Sequence, residues 1–280
     1  MTGGAVPHPL LDQQLISRYL DLLGVARRKP GLEALTELVT EQLARVPFEN
    51  VSKLYNKKHR RLEGLPPIET YLEGIERFAF GGTCYSNNFH FYSLLASLGY
   101  EIKLCSADMR TPDVHMVSMV TVDEGEYLVD VGYAAPFSAP LPRQLKEDHV
   151  VALGNDRYVL KPQDAEGCSR LEMYREGTYK HGYTAKPAPR GLDDFRDVIA
   201  ASFAADATFM NSLLLAHFYP DSGVVLHNLT ATESTGLHST TRDLVDRSQL
   251  ISEVEKLFGI PGSIVADVVQ DLERLQDPWT

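Results

Sequence analysis

The sequence predicts an α+β fold in which helices and strands are largely segregated along the chain. In residues 1–100, apolar side chains recur at three- and four-residue steps, which is the spacing of amphipathic helices. After Gly99 the period changes to two, and Gly, Pro, Asp and Asn separate short runs, a pattern typical of a small antiparallel barrel or sandwich. After residues 186–191, which we interpret as a linker, segments with the helical period and segments with the strand period both occur.

Helices account for most of the first hundred residues. Gly24 ends the first helix, Pro47 halts the second and Gly99 stops the last, because Gly favours C-caps and Pro cannot continue a helix. The basic run 57–61 lies between the second and third helices and is interpreted as a solvated loop, with contact to phosphates as the less favoured alternative. The predicted helices are 11–23, 32–46, 68–78 and one that begins at Cys84 and ends at Leu98.

Strands dominate the middle of the chain, and a mixed group of elements follows. Period-two alternation predicts strands at 101–109, 114–122, 126–131, 149–153, 158–160 and 171–174. Beyond the linker, the patterns predict a helical segment at 193–201, a hairpin of 213–219 with 224–229, and two last helices at 248–258 and 261–275.

Composition excludes several classes of function. The 280 residues are 44% hydrophobic and 23% charged, an ordinary globular balance with enough material for a core. A net charge of −11 makes nucleic acid and acidic membrane poor partners, because like charges repel. The chain lacks a run near the roughly 18 apolar residues of a spanning helix, and it lacks a secretion signal. We therefore expect a cytoplasmic protein.

Cys84 is the most informative residue of the sequence. It follows Gly81-Gly82-Thr83, where the glycines allow a tight turn, and an amphipathic helix begins at the cysteine itself. The positive end of a helix dipole and its unpaired N–H groups favour the thiolate, which is the nucleophilic form. Cys105 and Cys168 lack this setting and are interpreted as packing residues, and the three cysteines show neither disulfide nor zinc spacing.

A cysteine nucleophile needs a base for its proton and a third group to orient that base. His115 opens a predicted strand, and Asp130 lies among apolar residues of the next strand, where a carboxylate must be paired. A turn centred on 124–125 leaves these side chains on one face but too far apart for a hydrogen bond. A turn one residue earlier halves the offset, whereas a three-residue loop places them on opposite faces.

Each of these residues also has a purely structural interpretation. Cys84 alone is as consistent with a small residue buried at a tight turn, and a lone strand histidine such as His115 is more often structural. Asp130 alone fits a strand-end carboxylate that accepts backbone N–H groups equally well. Their combination in one chain favours nucleophilic catalysis.

Three segments together make the chain resemble the arylamine N-acetyltransferases over nearly its full length. They are 45–50 (RVPFEN), 81–88 (GGTCYSNN) and His115-Met116 followed by 127–133 (YLVDVGY). The resemblance implies an N-terminal helical bundle (1–100), a central antiparallel β-barrel (101–191) and a C-terminal α/β lid (192–280) around a cysteine-protease-like core. It also implies a catalytic triad of Cys84, His115 and Asp130.

The resemblance implies acetyl transfer from acetyl-CoA, through an acyl-cysteine, to an arylamine, arylhydroxylamine or hydrazine. Phe48, Tyr133 and Phe137 are our candidates for the aromatic acceptor pocket, with core packing as the alternative. Gly132 and Ser202 are candidates for contacts with coenzyme A. Acetyl-CoA is a substrate in this scheme, and we expect neither a permanently bound cofactor nor a metal.

The chain departs from the family in two places. Phe80 and Ser86 stand where an arginine and a glutamate ordinarily form a charge pair, and only Ser202 and Phe209 survive clearly in a segment that helps cradle coenzyme A. These departures leave open a related enzyme with another acyl donor or acceptor, such as a biosynthetic amide-forming enzyme. A cysteine hydrolase or transglutaminase-like enzyme and a non-catalytic binding protein are less favoured. The acceptor and the oligomeric state are not predicted.

Overall fold

The first part of the chain is helical, with one helix that the sequence pattern did not predict. In the computed structural model, which describes residues 10–272 and 275, its elements are α1 (Gln13–Leu23), α2 (Leu32–Arg45), the short strand β1 (Phe48–Glu49), α3 (Val51–Arg60), α4 (Ile68–Phe78) and α5 (Cys84–Leu98). Most of the basic run belongs to α3, so the prediction of a loop there is wrong. The buried face of α3 includes Ser52 and Lys53, and such polar residues hide the apolar period.

The middle of the chain forms a nearly closed antiparallel β-barrel, and the α+β prediction is confirmed. Its strands are β2 (Glu101–Asp108), β3 (His115–Val122), β4 (Gly125–Val129), β5 (Leu141–Pro142), β6 (His149–Leu153), β7 (Asp156–Leu160), β8 (Ser169–Arg175) and β9 (Thr178–Pro189). They pair in the order β5-β4-β3-β2-β9-β8-β7-β6. The predicted linker at 186–191 is wrong for most of its length, because β9 extends to Pro189. Pro187 and Pro189 are unusual in a strand, and the register of β2 against β9 shifts beside them.

A second sheet, flanked by helices, follows the barrel. Its region contains a 3₁₀ turn (Leu192–Phe195), α6 (Arg196–Ala201), α7 (Thr208–Asn211), β10 (Leu214–Tyr219), β11 (Ser222–His227), β12 (Thr230–Thr235), β13 (His238–Asp243), α8 (Arg247–Phe258) and α9 (Gly262–Val269). The strands pair in the order β1-β10-β11-β12-β13. The predicted hairpin corresponds to β10 and β11. β12 and β13 are Ser- and Thr-rich, and Ala231 is their one buried residue, so they lack the apolar alternation that reveals a strand.

Some of the predicted boundaries differ from those of the structure. The last predicted helix, 261–275, corresponds to α9, which ends at Val269, and residues 273 and 274 of that prediction lie outside the described residues. The division of the chain at residues 100 and 191 stays a proposal. β1, from the first part of the chain, pairs with β10 of the last part, with Phe48 opposite Ala216. Among the described helices, none has the length and apolar character needed to cross a bilayer.

α5 is buried on more faces than the single stripe that its sequence predicts. Phe91 and Leu94 pack in a core with α1 and α2, whereas Tyr85 and Tyr92 pack in another core with β2, β3 and α6. A helix that is apolar on several faces is buried between layers. α5 therefore lies between the helices and the barrel, and Cys84 at its first position lies where these parts meet.

Candidate active site

Close backbone packing shapes the turn before Cys84 and requires both of its glycines. A Cβ atom on Gly81 would lie 1.8 Å from the Pro47 carbonyl oxygen, and one on Gly82 would lie 2.6 Å from Ser86 Cβ. The Glu49 N–H donates to the Gly82 carbonyl at 3.0 Å, and the Gly82 N–H donates to the Pro47 carbonyl at 3.4 Å. The segment around β1 therefore fixes the turn that presents the cysteine.

The Glu49 carboxylate also holds this turn, by hydrogen bonds to backbone groups. Its Oε1 accepts from the Gly81 N–H at 3.0 Å, and its Oε2 accepts from the Ser52 N–H at 2.8 Å, at the start of α3. Burial raises the pKa of Glu49 and outweighs the opposing effect of these hydrogen bonds. None of the ion pairs among the described residues includes Glu49. Its hydrogen bonds come from the N–H of Gly81 in the turn and from the N-terminus of α3, where negative charge is favoured.

Phe80 gives the nucleophile turn an apolar anchor. It is 3% exposed, and its ring lies 5.6 Å from that of Tyr55 and 5.2 Å from that of Phe78, measured between ring centroids. Ser86, the other departure from the family pattern, lines the first turn of α5 next to Gly82. Aromatic packing therefore occupies the position where the family pattern has a charged side chain.

His115 and Asp130 are brought together by the hairpin of β3 and β4. Val122 pairs with Gly125 and Ser118 with Val129, so the turn is centred on 123–124, one residue earlier than the first of the predicted alternatives. Asp130 follows the end of β4, and its Oδ2 lies 2.8 Å from His115 Nε2. Both residues are buried, with exposed fractions of 1% for His115 and 3% for Asp130. An ion pair in this setting is only weakly screened by solvent.

The electrostatics of the pair favour a protonated ring and an ionised carboxylate. Burial lowers the pKa of His115, but the Asp130 charge and hydrogen bond, together with Cys84, outweigh it and raise the pKa to about 10. Burial raises the pKa of Asp130, but His115 and hydrogen bonds from Asn88 and Gly132 outweigh it, so the net pKa is lowered. The site is built to hold an imidazolium.

Cys84 is the third member of this arrangement. Cys84 is among the groups that raise the pKa of the His115 ring, through a hydrogen bond and through its charge. The Nε2 of that ring faces Asp130. The first bond of the α5 ladder runs from the Asn87 N–H to the Thr83 carbonyl, so the Cys84 N–H precedes the ladder. The arrangement can move a proton from sulfur to imidazole and offers an N–H group to a developing oxyanion.

Asn88 is a functional candidate that the sequence reasoning missed. It lies one turn after Cys84 on α5, and its Nδ2 donates to Asp130 Oδ1 at 2.8 Å and to the Met116 carbonyl at 2.6 Å. Its Oδ1 accepts from the Val131 N–H at 2.8 Å. The side chain thus ties the nucleophile helix to the aspartate. Its position four residues after Cys84, on the same helix face, is the sequence signal that identifies it.

Gly132 permits the close approach of the aspartate segment to α5. A Cβ atom there would lie 2.8 Å from Cys84 Cα and 2.7 Å from Asn88 Nδ2. Its N–H donates to Asp130 Oδ1 at 3.1 Å. The contacts of this predicted coenzyme A residue therefore lie with the aspartate and the nucleophile helix.

Aromatic rings surround His115 on the barrel side. The Tyr133 ring lies 5.5 Å from the His115 ring, and the Tyr183 ring lies 5.0 Å from it. Burial lowers the pKa of His181 to about 4, and its Nδ1 lies within hydrogen-bond distance of the Tyr133 hydroxyl oxygen, at 2.6 Å. Phe137 stacks on the far side of Tyr133, at 6.2 Å between centroids, and is 2% exposed. Of the predicted aromatic residues, Tyr133 lies beside the base and Phe137 lies behind it.

Phe48 and Ser202 lie on other sides of the nucleophile turn. Phe48 bridges to Gly82 through its backbone and packs edge-on against Phe209 at 5.7 Å. The carbonyl oxygen and Oγ of Ser202 accept hydrogen bonds from Lys53 Nζ at 2.7 and 2.8 Å. The three predicted pocket aromatics therefore do not form one cluster, and Ser202 is engaged by a lysine.

Comparisons with known proteins agree with this fold. A family model described as N-acetyltransferase matches residues 31–265. The chain is 28% identical over 265 residues to arylamine N-acetyltransferase 1 of Oryctolagus cuniculus, with 85% of this chain and 89% of that protein covered. Its TM-score is 0.77 against the Nocardia farcinica arylamine N-acetyltransferase, at 24% identity, with 92% and 95% of the two chains covered. For the Mycobacterium marinum enzyme in complex with CoA, the TM-score is 0.74 at 24% identity, with 90% and 94% covered.

The fold and these similarities define an acyltransferase. The chain belongs to the N-acetyltransferase family whose model spans most of its length. Within that family it is an acyltransferase of the arylamine N-acetyltransferase type, and the resemblance inferred from its motifs is confirmed.

Proposed function

We propose that the protein transfers an acetyl group from acetyl-CoA through a covalent intermediate on Cys84. His115 takes the proton of Cys84, and Asp130 stabilises the imidazolium. The sulfur then forms a bond with the thioester carbonyl carbon, and the bond from that carbon to the coenzyme A sulfur breaks. Coenzyme A leaves with the proton from His115. A positioned acid–base pair of this kind contributes about 10² to 10⁴ in rate.

In the second step an amine takes the place of coenzyme A. Its nitrogen attacks the acetyl-cysteine carbonyl, His115 accepts the proton of the nitrogen, and Cys84 is released. We propose arylamines, arylhydroxylamines and hydrazines as acceptors, with Tyr133 beside His115 as the aromatic surface nearest the reacting atoms. The absence of a resident cofactor and a cytoplasmic location stay predictions.

One observation carries this proposal: Nε2 of the buried His115 ring lies 2.8 Å from Asp130 Oδ2, and both Asp130 and Cys84 raise the pKa of that ring. The similarity to arylamine N-acetyltransferases supports acetyl-CoA as the donor, since the related Mycobacterium marinum protein has been solved with CoA. A buried cysteine, histidine or aspartate with a structural role does not need this connectivity.

Intact-mass spectrometry tests the proposal directly. Incubation with acetyl-CoA and no amine is expected to add one acetyl group to the wild type and to Cys168→Ala, which removes a half-buried cysteine outside the site. Cys84→Ala is expected to stay folded and unlabelled. A thioester adduct on Cys84→Ala contradicts the proposal. Sustained release of coenzyme A without any amine identifies a hydrolase instead.

A further inference from the structure

A cleft opens beside the nucleophile, between α3, the first turn of α5 and the end of α6. Thr83 and Ser86, on either side of Cys84 in the chain, line one wall of the cleft. Lys53 of α3 and Phe203 line the facing walls. Binding clefts are typically apolar with a few convergent polar groups, and this one has that character. Cys84 is not itself among the lining residues, and the cleft reaches the nucleophile helix through Thr83, Tyr85 and Ser86.

Lys53 is the one charged residue that lines this cleft in the described part of the chain. The residue is 9% exposed. Its ammonium group donates to the Ser202 carbonyl oxygen and Oγ, and it lies 4.1 Å from the centroid of the Phe203 ring. All of these partners are neutral. The contacts therefore provide hydrogen bonds for the ammonium group without neutralising its charge.

Among the described residues, no carboxylate pairs with the charge of Lys53. Lys53 takes part in none of the ion pairs of residues 10–272 and 275. By contrast, Nζ of Lys57, one turn further along α3, lies 3.2 Å from Glu63 Oε1. Burial lowers the pKa of Lys53 to about 8, and the opposing influence is the charge of Cys84. A buried cation without an anion is unfavourable. Acylation converts the Cys84 sulfur into a neutral thioester at the step that brings the acyl group to the site.

We propose that Lys53 binds a carboxylate on the acyl group of the donor, so that the enzyme favours the mono-thioester of a short dicarboxylic acid over a neutral acyl-CoA. This inference rests on the proposed transfer through Cys84 and adds the class of donor. The carboxylate provides an anionic partner for Lys53 and is unchanged by the reaction. Cys84 gains the bond to the thioester carbonyl carbon, and coenzyme A leaves with the proton from His115.

The position of the cation favours the acyl group over other anions. The phosphates of coenzyme A are separated from its thioester sulfur by the whole pantetheine arm, whereas the acyl group is bonded to Cys84 itself. An acetyl group has no polar atom beyond its carbonyl and leaves the ammonium group uncompensated. A carboxylate that binds Lys53 could also be carried by the acceptor amine. The experiment separates a carboxylate on the acyl group from one on the acceptor.

Malonyl-CoA and isovaleryl-CoA provide a matched pair of donors, because a planar carboxylate and a branched pair of methyl groups have similar size. Acyl-enzyme formation is followed by rapid quench and intact mass with no amine present, so an acceptor carboxylate plays no part. The wild type is expected to favour malonyl-CoA by about 10- to 100-fold in acylation rate, the range of a charge-assisted hydrogen bond. Lys53→Met is expected to lose that preference, and Lys53→Arg to retain most of it.

Lys57→Met is the control for a merely structural role. Lys57 also ties α3 to the end of α6, through a 2.7 Å hydrogen bond from its ammonium group to the Phe203 carbonyl, but it does not line the cleft. In Lys57→Met, the ratio of malonyl-CoA to isovaleryl-CoA acylation rates is expected to match that of the wild type. A ratio of malonyl-CoA to isovaleryl-CoA acylation rates near one in the wild type overturns the proposal without any variant. Equal changes of this ratio in Lys53→Met and Lys57→Met also overturn it. A preference that emerges only among carboxylated amines in the second step also overturns it.

The two levels of the proposal fail in different ways. Acetylation of Cys84 with no preference for malonyl-CoA overturns the role of Lys53 and leaves the acyl transfer standing. The absence of acylation by any donor overturns the transfer itself.

Discussion

Replacement of Asp130 by asparagine isolates the role of one carboxylate at almost constant shape. Oδ1 of Asp130 accepts from Asn88 Nδ2 at 2.8 Å and from the Gly132 N–H at 3.1 Å. The amide oxygen of an asparagine must take this position, because an NH₂ group there would face two donors. The NH₂ group then faces His115 Nε2, so that nitrogen must accept. The ring proton is consequently held on Nδ1, so the neutral ring has no free nitrogen to take the proton of Cys84.

The expected loss follows from this tautomer. The same substitution in a Ser-His-Asp site lowers the rate by about 10⁴, through the same change of tautomer. We expect a similar loss here, which corresponds to about 5 kcal/mol in activation free energy at about 1.4 kcal/mol per tenfold. The count of hydrogen bonds is unchanged, so the free energy of unfolding should fall by only about 1–2 kcal/mol, the difference between charged and neutral hydrogen bonds.

Single-turnover acetylation, followed by rapid quench and intact mass, measures this loss without interference from the amine. Asp123→Asn is the matched control, since Asp123 lies at the turn of the same hairpin and its Oδ2 accepts only a 2.8 Å hydrogen bond from the Leu32 N–H among the described residues. Its rate is expected to stay at the wild-type value. A folded Asp130→Asn protein that acetylates within tenfold of the wild type refutes the reasoning.

Two further predictions test the packing and the electrostatics of the site. Gly132→Ala places a Cβ atom 2.8 Å from Cys84 Cα, so we expect a loss of about 1–3 kcal/mol in thermal or denaturant unfolding and slower acetylation. Gly64→Ala, with no atom within 4 Å of its Cβ, is the control for stability and should not lower it. The raised pKa of His115 gives stability that is complete below the ordinary histidine pKa of about 6.5. This stability is lost as the pH rises from the ordinary histidine pKa through the folded value of about 10. The difference in melting temperature between the wild type and His115→Gln should therefore shrink over that pH range. A difference that does not change with pH argues against the ion pair.

Parts of the candidate site depend on local sequence alone. Gly81-Gly82 before Cys84, with a helical period after it, predicts a turn that presents a sulfur at a helix start, and the structure begins α5 at that residue. The period of two predicts the hairpin that carries His115. The sequence does not decide among three positions for the turn of this hairpin. Asp123 and Glu124 both adopt positive φ there, without the glycine that usually signals such a turn.

Other parts of the site depend on contacts between distant stretches of chain. The sequence reasoning passed over Asn88 and Lys53, because an asparagine inside a helix and a lysine in a basic run have no distinctive local pattern. Asn88 acquires its role from Asp130, and Lys53 acquires its role from Ser202 and the cleft. The aromatic candidates show the same limit, since residue type alone does not separate Tyr133 beside the base from Phe137 in the barrel core.

The sequence by itself determined the family and the α+β class and predicted three candidate catalytic residues, because motif, capping, turn and periodicity signals act between neighbours in the chain. Only the tertiary structure decided the register that places Asp130 against His115, the burial that sets their charges, and the cation beside the nucleophile. Register depends on the turn and on which faces are buried, and burial depends on what packs from elsewhere. These are properties of contacts across the fold, and local sequence does not contain them.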